Sequence, residues 1–293
     1  MAQASLAGRG AVVVGGSRGI GAAVASLLAS LGAGVVVNGR DGIAVDETVD
    51  RITAEGNDAA GLSGSASDPE IAEALMSQCE SEFGAVDILI NCAGTPEPSG
   101  SSILTISQAE FDDLIDVHLG TAFATCRVAA PRMVAAGRGS IVNSSSFAFL
   151  GDYGGTGYPA GKGAVNGLTM AIAAELAEHG VRANVVCPGA KTRLSTGAVY
   201  EAHIVELRRR GMLDEASASG ALDAAPPEYA AAVYGYLAGD LAAHITGQIF
   251  IAAGGFVGRF DRQAPALLGY RDHHDGRPWS IQEIAAMLPA PTS

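Results

Sequence analysis

The sequence predicts an α/β fold: a doubly wound, mostly parallel sheet with helices on both faces. Three observations carry this reading. Short, continuously apolar runs such as AVVVGG at 11–16 and VDILIN at 86–91 alternate with longer segments of helical period. Strands apolar on both sides are buried on both sides, as in a parallel sheet layered by helices. A glycine-rich turn, GGSRGIG at 15–21, separates the first strand from the first helix, the position where doubly wound sheets leave a helix N-terminus free to meet an anion.

The elements follow in order. The strand at 11–16 leads through the glycine turn into a helix ending near Ser30. GVVVN at 34–38 is the second strand, and a helix runs from Asp46 to Glu55. A weak strand lies at 59–62, a helix at 69–82, and VDILIN at 86–91 is the next strand. Ser107 and Glu110 form a capping box with Ile106 and Phe111 as its hydrophobic staple, opening a long helix to about Ala136. GSIVNSSS at 139–146 is a strand, the helix beginning at Tyr158 runs to His179, and VRANVVCPG at 181–189 is a strand into a tight loop. Residues 190–228 form a long excursion with an inner helical piece near 198–210, the length of a functional lid. QIFIAAGG at 248–255 is the last strand. Residues 1–255 therefore read as one sheet domain and 256–293 as an extension. A second capping box, Ser280 with Glu283, opens a short docked helix there, with Trp279 and Ile284 as staple.

Composition excludes several functions. The net charge is −13, and the densest basic patch, Arg208 to Arg210, has Glu201 and Glu206 nearby, so no nucleic-acid partner is expected. The start, MAQASLAGRG, has no apolar signal core, and apolar runs are broken short of the roughly 18 residues that a membrane span needs. A cytoplasmic protein with no membrane partner is expected. The four cysteines, Cys79, Cys92, Cys126 and Cys187, make no CxxC pair and no zinc-ligand spacing, so they read as core residues in a reducing compartment and no metal is expected.

The chemistry sits in three places. In the first turn, Gly15, Gly19 and Gly21 permit close approach of the backbone to a pyrophosphate, with Ser17, Arg18 and Ile20 between them. At the end of the second strand, NGR replaces the acidic residue that would grip the ribose hydroxyls of NAD; Arg40, with Arg18, suits a 2′-phosphate. NADP(H) is the cofactor favoured, with NAD(H) as the alternative. In TGYPAGKG at 156–163, Pro159 fits only at a helix start, which puts Tyr158 there and Lys162 one turn deeper on the same face. A phenol held near an ammonium is a proton donor in waiting.

Taken together, GGSRGIG at 15–21, NCAG at 91–94, SSSF around Ser146, YPAGK at 158–162 and VVCPGAKTRL at 185–194 resemble the classical short-chain dehydrogenase/reductase family, in family order over roughly residues 8–255. The resemblance implies a Rossmann-like sheet of about seven strands. It also implies a homotetramer or homodimer packed through the long helices near 107–136 and 158–179, and a hydride passed between cofactor and a small-molecule carbonyl or secondary alcohol. By the same resemblance Tyr158 is the proton donor or acceptor. Lys162 binds the nicotinamide ribose and lowers the tyrosine pKa, and Ser146 holds the substrate oxygen. Asn91, Ala93 and Gly94 line the adenosine side, while Pro188, Gly189 and Thr192 flank the nicotinamide. Three departures stand out. His118 occupies the place of the family's relay asparagine and is able to titrate near neutrality. The strand register favours Ser146, but the family's usual spacing to the tyrosine is one residue longer and points to Ser145. The usual adenine-contacting acidic residue appears as Ser65 or is displaced to Asp68. His118, PGAKTR at 188–193 and the ordered tail together resemble the hydroxyacyl-CoA dehydrogenase domain of peroxisomal multifunctional enzymes, which makes an NAD-dependent 3-hydroxyacyl-CoA dehydrogenase the alternative. A non-catalytic nucleotide sensor or scaffold is a further alternative, against which the intact Ser146, Tyr158 and Lys162 set argues.

Overall fold

The structure, a computed structural model, describes residues 5–261, 264–274 and 276–288. Its strands are β1 (Gly10–Val14), β2 (Gly34–Gly39), β3 (Ala59–Ser63), β4 (Ile88–Asn91), β5 (Gly139–Ser144), β6 (Val181–Gly189), β7 (Ile249–Ala253) and β8 (Phe256–Arg259). They form one sheet in the order β3-β2-β1-β4-β5-β6-β7-β8. Every pairing is parallel except β7 with β8. The sequence reading ended the sheet at 255. At that end Gly254 adopts φ +56°, which lets the chain turn sharply and lay β8 back along β7 as an eighth strand.

The helices are α1 (Gly19–Ser30), α2 (Gly42–Ala54), α3 (Pro69–Phe83), α4 (Gln108–Ile115), α5 (Thr121–Ala136), α6 (Gly157–Leu176), α7 (Ala198–Arg209), α8 (Glu215–Leu222), α9 (Pro227–Ala238) and α10 (Ile281–Met287). Successive strand residues point to opposite faces of a sheet, and the core divides accordingly. Val13, Val35, Ile88, Ile90 and Val142 pack with α1 and α9, whereas Val12, Val14, Val36, Leu89 and Ile141 pack with α3 and α5. Helix α2 starts four residues earlier than the sequence reading, because the Asp41 side chain accepts from Ala44 N and caps it. Asp68, weighed as an adenine contact, instead caps α3 by accepting from Glu70 N at 2.9 Å, and Ser65 pairs with Ser67 through their hydroxyls.

The long helix expected from Ser107 does begin with a capping box, but it is not α-helical throughout. Between α4 and α5 the residues Asp116–Gly120 form one π turn, and His118 lies within it. Such turns insert one residue into a helix and redirect side chains, often at functional sites.

The chain divides into two units, Met1–Phe260 and Asp261–Ser293. The sheet belongs to the first. In the second, α10 carries the Ser280–Glu283 capping box. Arg271 and Arg277 donate to Glu283, and the Arg271 guanidinium lies 3.8 Å from the centre of the Trp279 ring. No helix among the described residues is long and apolar enough to cross a membrane.

Candidate active site

The strand order reverses at β1, so the crevice beyond β1 and β4 is the switch point where such sheets bind ligands. The glycine turn is built for close approach. A Cβ on Gly15 would lie 2.6 Å from Ala93 N, and one on Gly21 would lie 2.1 Å from Gly15 O. Gly15 and Gly19 both have positive φ. Helix α1 begins with Arg18 as an extended N-cap, and no side chain caps its first turn. Its first N–H groups therefore point, without a side-chain acceptor, into the switch-point crevice. This fits a pyrophosphate, whose charge suits a helix N-terminus. Ile20 and Gly94 line the adjoining cleft.

The rim past β2 is more constrained than the sequence suggested. Gly39 is buried, and a Cβ there would lie 2.4 Å from Ser17 Oγ. Arg18, expected to share a 2′-phosphate with Arg40, forms an ion pair with Asp41 at 2.5 Å. Arg40 is exposed and has no ion-pair partner among the described residues. Asn91, expected beside the adenosine, has its amide engaged inside the protein. Its Nδ2 donates to Asn143 Oδ1 at 2.8 Å, and Thr125 Oγ1 lies 3.0 Å from its Oδ1. Asn143 in turn donates to Thr169 Oγ1. This buried chain ties β4, β5, α5 and α6 together, so the Asn91 side chain is structural.

The end of β5 and the start of α6 form one wall of the cleft. Three consecutive serines there do three different things. Ser144 Oγ pairs with the Tyr234 hydroxyl at 2.7 Å, and its carbonyl accepts from Lys162 Nζ at 3.0 Å. Ser145 is buried and donates to the Lys162 carbonyl at 3.1 Å. Only the Ser146 hydroxyl faces the Tyr158 phenol, where its interaction favours phenolate. Burial is the larger effect and pushes the Tyr158 pKa up. The Lys162 ammonium, expected to favour phenolate, sits over the ring, 5.7 Å from its centre. Burial also lowers Lys162, to about 8. One of its three N–H donors is used by Ser144, which leaves donors for a ribose hydroxyl.

His118 is buried, with its ring edge-on to Tyr158 at 4.9 Å between centres. Burial and the Lys162 charge drive its pKa down to about 3. It is thus neutral across the physiological range, and the expected titration near neutrality does not occur. Its Nε2 lies 3.0 Å from the Thr95 carbonyl. A carbonyl only accepts, so Nε2 carries the proton and Nδ1 is left as an acceptor with no partner among the described residues. Gly94 leaves the gap there: a Cβ on it would lie 3.4 Å from His118 Nδ1 and 3.8 Å from Lys162 Nζ.

The cleft has a volume of about 870 Å³ and brings together Ser146, Tyr158, Lys162, Pro188, Gly189 and Thr192. Thr192 closes over the glycine turn, its Cγ2 3.3 Å from where a Gly19 Cβ would stand. Helices α7 and α8, in the excursion expected to act as a lid, add Val199, Tyr200, Ile204 and Ala221 to the lining of the same cleft. Two site features were absent from the sequence reading. Asp41, which holds Arg18, was legible as an acidic residue three before Ala44 at a helix start. Glu97 was not: its oxygens accept from the backbone N–H groups of Thr156, Gly157 and Tyr158, about 60 residues away in sequence.

Residues 9–199 match the model of the short chain dehydrogenase family. A 3alpha-hydroxysteroid dehydrogenase of Mediterraneibacter gnavus is 35% identical over 247 residues, 83% of this chain and 95% of that protein. The hydroxyacyl-CoA dehydrogenase ChsB1 of Mycobacterium tuberculosis is 32% identical over 297 residues, 97% of this chain and 88% of that protein. The crystal structure of a short chain dehydrogenase from Mycobacterium avium superposes with a TM-score of 0.78 at 30% identity, covering 97% of this chain and 94% of that one.

Proposed function

The chain belongs to the short-chain dehydrogenase family, and from that premise we propose that it is an NADP-dependent oxidoreductase interconverting an uncharged, apolar ketone and its secondary alcohol. Its class, an oxidoreductase of the hydroxy dehydrogenase or reductase type using a nicotinamide cofactor, follows from the family. The substrate, the cofactor preference and the residue roles are this proposal.

The observation that carries it is the cleft: Ser146, Tyr158 and Lys162 converge in a space whose surface is mainly apolar, with Pro96, Phe147, Leu194, Val199 and Tyr200, and whose charged lining apart from Lys162 is limited to Glu97 and Glu206. Bound in the crevice, the nicotinamide supplies or accepts the hydride at the carbonyl carbon. The chain's own residues do the rest. The unpartnered first turn of α1 holds the pyrophosphate, with Gly15, Ser17, Gly19, Ile20 and Gly21 lining it. Ala93 and Gly94 bound the adenosine side, and Pro188, Gly189 and Thr192 bound the nicotinamide. Lys162 binds the ribose with its spare donors and stays an ammonium below a pH of about 8. Tyr158, kept as a protonated phenol by burial, donates its proton to the carbonyl oxygen in reduction and takes it back in oxidation. Ser146 hydrogen-bonds the same oxygen as charge develops on it. Neutral His118 offers Nδ1 as a fixed acceptor beside Lys162 and does not change charge during turnover.

NADP is favoured at the β2 rim. The buried backbone of Gly39 leaves no room for an acidic side chain against Ser17. Arg40 stands exposed beside it, whereas Arg18 must first leave Asp41.

The second reading is a 3-hydroxyacyl-CoA dehydrogenase, favoured by the match to ChsB1 over nearly the whole chain. Against it, Lys162 is the only lysine or arginine among the described residues that line the cleft. Two of the lid arginines suited to meet CoA phosphates are already paired, Arg208 with Glu215 at 2.6 Å and Arg209 with Glu206 at 2.7 Å.

The test is a substrate panel of apolar cyclic and aliphatic ketones and alcohols with a 3-hydroxyacyl-CoA, each with NADP(H) and NAD(H), following absorbance of the reduced nicotinamide. Turnover confined to the acyl-CoA with NAD would reverse the assignment. A homodimer or homotetramer through α4–α5 and α6 is part of the proposal and is checked by light scattering.

A further inference from the structure

The start of α6 raises an accounting problem. A helix leaves its first N–H groups without intrahelical acceptors, and buried ones need partners. The N-cap residue Thr156 makes no side-chain capping bond. Pro159 has no N–H, and Ala160 N already donates to the Thr156 carbonyl. The unsatisfied donors are therefore the N–H groups of Thr156, Gly157 and Tyr158. All three end on one side chain from a distant loop. Glu97 Oε1 accepts from Thr156 N at 2.9 Å and Gly157 N at 3.2 Å, and Oε2 accepts from Tyr158 N at 2.6 Å. Ser101 Oγ donates a fourth bond to Oε1 at 2.8 Å.

The surroundings are shaped to this contact. Gly155 has φ +80°, and a Cβ on it would lie 2.9 Å from the Glu97 carboxyl carbon. A carboxylate also suits the positive end of a helix, and bonds to an ionised acceptor are stronger than neutral ones. Burial alone would raise the pKa of Glu97, but the converging N–H groups and Ser101 bring it below the usual carboxylate value, so it is ionised at neutral pH.

The loop that carries Glu97 has two other attachments. Thr95, two residues earlier, accepts from His118. Pro96, Glu97 itself and Pro98 all line the cleft. One side chain thus fixes both the backbone of the proton donor and the loop against which substrate rests.

Building on the function proposed above, we infer that Glu97 is a positioning residue for the proton transfer: its carboxylate sets where the Tyr158 phenol stands relative to Ser146 and the substrate oxygen. Its carboxylate, which also lines the cleft, acts through the backbone of Tyr158 and takes no part in the proton transfer itself. A displacement of about 1 Å at a reacting group costs on the order of 10²-fold in rate, and three backbone bonds at Tyr158 and its neighbours are what prevents it.

The experiment compares Glu97→Ala and Glu97→Gln with the parent enzyme. For Glu97→Ala the expected result is a fall in kcat of about 10²-fold, with the reduced cofactor binding as in the parent by fluorescence titration. Glu97→Gln keeps one acceptor oxygen and should fall between the two. Amide hydrogen exchange in the peptide containing Gly157 and Tyr158 should accelerate in both. A helix cap of purely structural value would lower the melting temperature and leave kcat of the folded enzyme unchanged, and that result overturns the proposal. Unchanged amide exchange overturns it as well. If Glu97→Ala does not fold, Glu97→Gln decides by the same readouts. A parent enzyme inactive on every ketone and alcohol would sink the proposed function instead. Exchange and the ultraviolet titration of the Tyr158 phenol, referenced to Tyr158→Phe, would then decide the positioning claim on their own.

Discussion

The two sides of the cleft are built from different materials. On the wall of β5 and α6, most buried polar atoms are matched: Ser144 with Tyr234 and Lys162, Ser145 with the Lys162 carbonyl, and Asn143 with Asn91 of β4, which also meets Thr125 of α5; Asn166 Oδ1 on α6 is the exception among the described residues of this wall. The lid of α7 and α8 is held by an apolar cluster of Ile204, Leu207, Leu213 and Ala218. Its polar contacts are ion pairs between exposed or half-exposed side chains, Arg208 with Glu215 and Arg209 with Glu206, a class worth about 0–1 kcal/mol each. One hydrogen bond, between His203 and the Tyr153 carbonyl, links the lid to the loop ahead of α6. A matched polar atom accepts few replacements, whereas an apolar contact accepts any side chain of similar volume. On the proposed function, the wall would fix where the reaction happens, and the excursion of α7 and α8 would fix only the shape and polarity of what enters.

The largest expected effect lies on the wall. Tyr158→Phe removes the proposed proton donor and leaves the ring in place beside His118. Turnover should fall by roughly 10²–10⁴-fold, the usual contribution of general acid–base transfer, while cofactor affinity stays unchanged. Steady-state kinetics and a fluorescence titration check both halves. If near-full turnover survived, the wall would have no more chemical privilege than the lid.

Next comes the lid. Ile204 is fully buried in its apolar cluster. Ile204→Ala should cost about 2–5 kcal/mol in local stability, as buried large-to-small changes do. Limited proteolysis between 190 and 228 should accelerate, and KM for apolar substrates should rise with little change in kcat. A collapse of kcat with KM unchanged would mean that the lid carries chemistry after all, and the contrast between the two sides would fail.

The cofactor rim gives a smaller effect. Arg40→Ala should narrow the preference for NADPH over NADH by roughly 10- to 100-fold, the equivalent of one charged hydrogen bond of about 1.5–3 kcal/mol. Dissociation constants for both reduced cofactors measure it. Tighter binding of NADH by the parent enzyme would remove the preference altogether.

The same contrast explains what the sequence disclosed. Strand and helix order was legible because the apolar runs and the capping boxes at Ser107 and Ser280 are local signals. Tyr158, Lys162 and the glycine turn were legible because their spacing is the geometry. Between Ser145 and Ser146 the sequence left a choice, since it is the end of β5 at Ser144 that decides which hydroxyl turns toward the phenol. Glu97 was hidden because its partners are remote in the chain, and β8 because a four-residue strand, FVGR, has no period to read. The charge state of His118 was misjudged because burial and Lys162 are tertiary facts. The substrate was not legible at all, since the lid that shapes it is apolar.

His118 gives the smallest effect on rate and the sharpest test of that last misreading. It sits in the π turn between α4 and α5, buried, with Nε2–H on the Thr95 carbonyl and Nδ1 facing the gap by Lys162. Its folded pKa is depressed from 6.5 to about 3. The sign follows from proton counting. Between those values the unfolded chain binds a proton at this histidine and the folded chain does not, so acid favours unfolding. The stability tied to a neutral His118 is complete above 6.5 and is lost as pH falls toward 3. The slope is about 1.4 kcal/mol per pH unit for a single proton. His118→Asn replaces the imidazole with a side chain that does not titrate. Urea unfolding of parent and variant at steps of pH through this window should show the parent losing stability with acid more steeply by that slope. The kcat–pH profile near neutrality should keep its shape in the variant, because the histidine is neutral throughout. Parallel stability curves would mean that His118 protonates in the folded protein as easily as in water, and the buried neutral acceptor beside Lys162 would have to be abandoned.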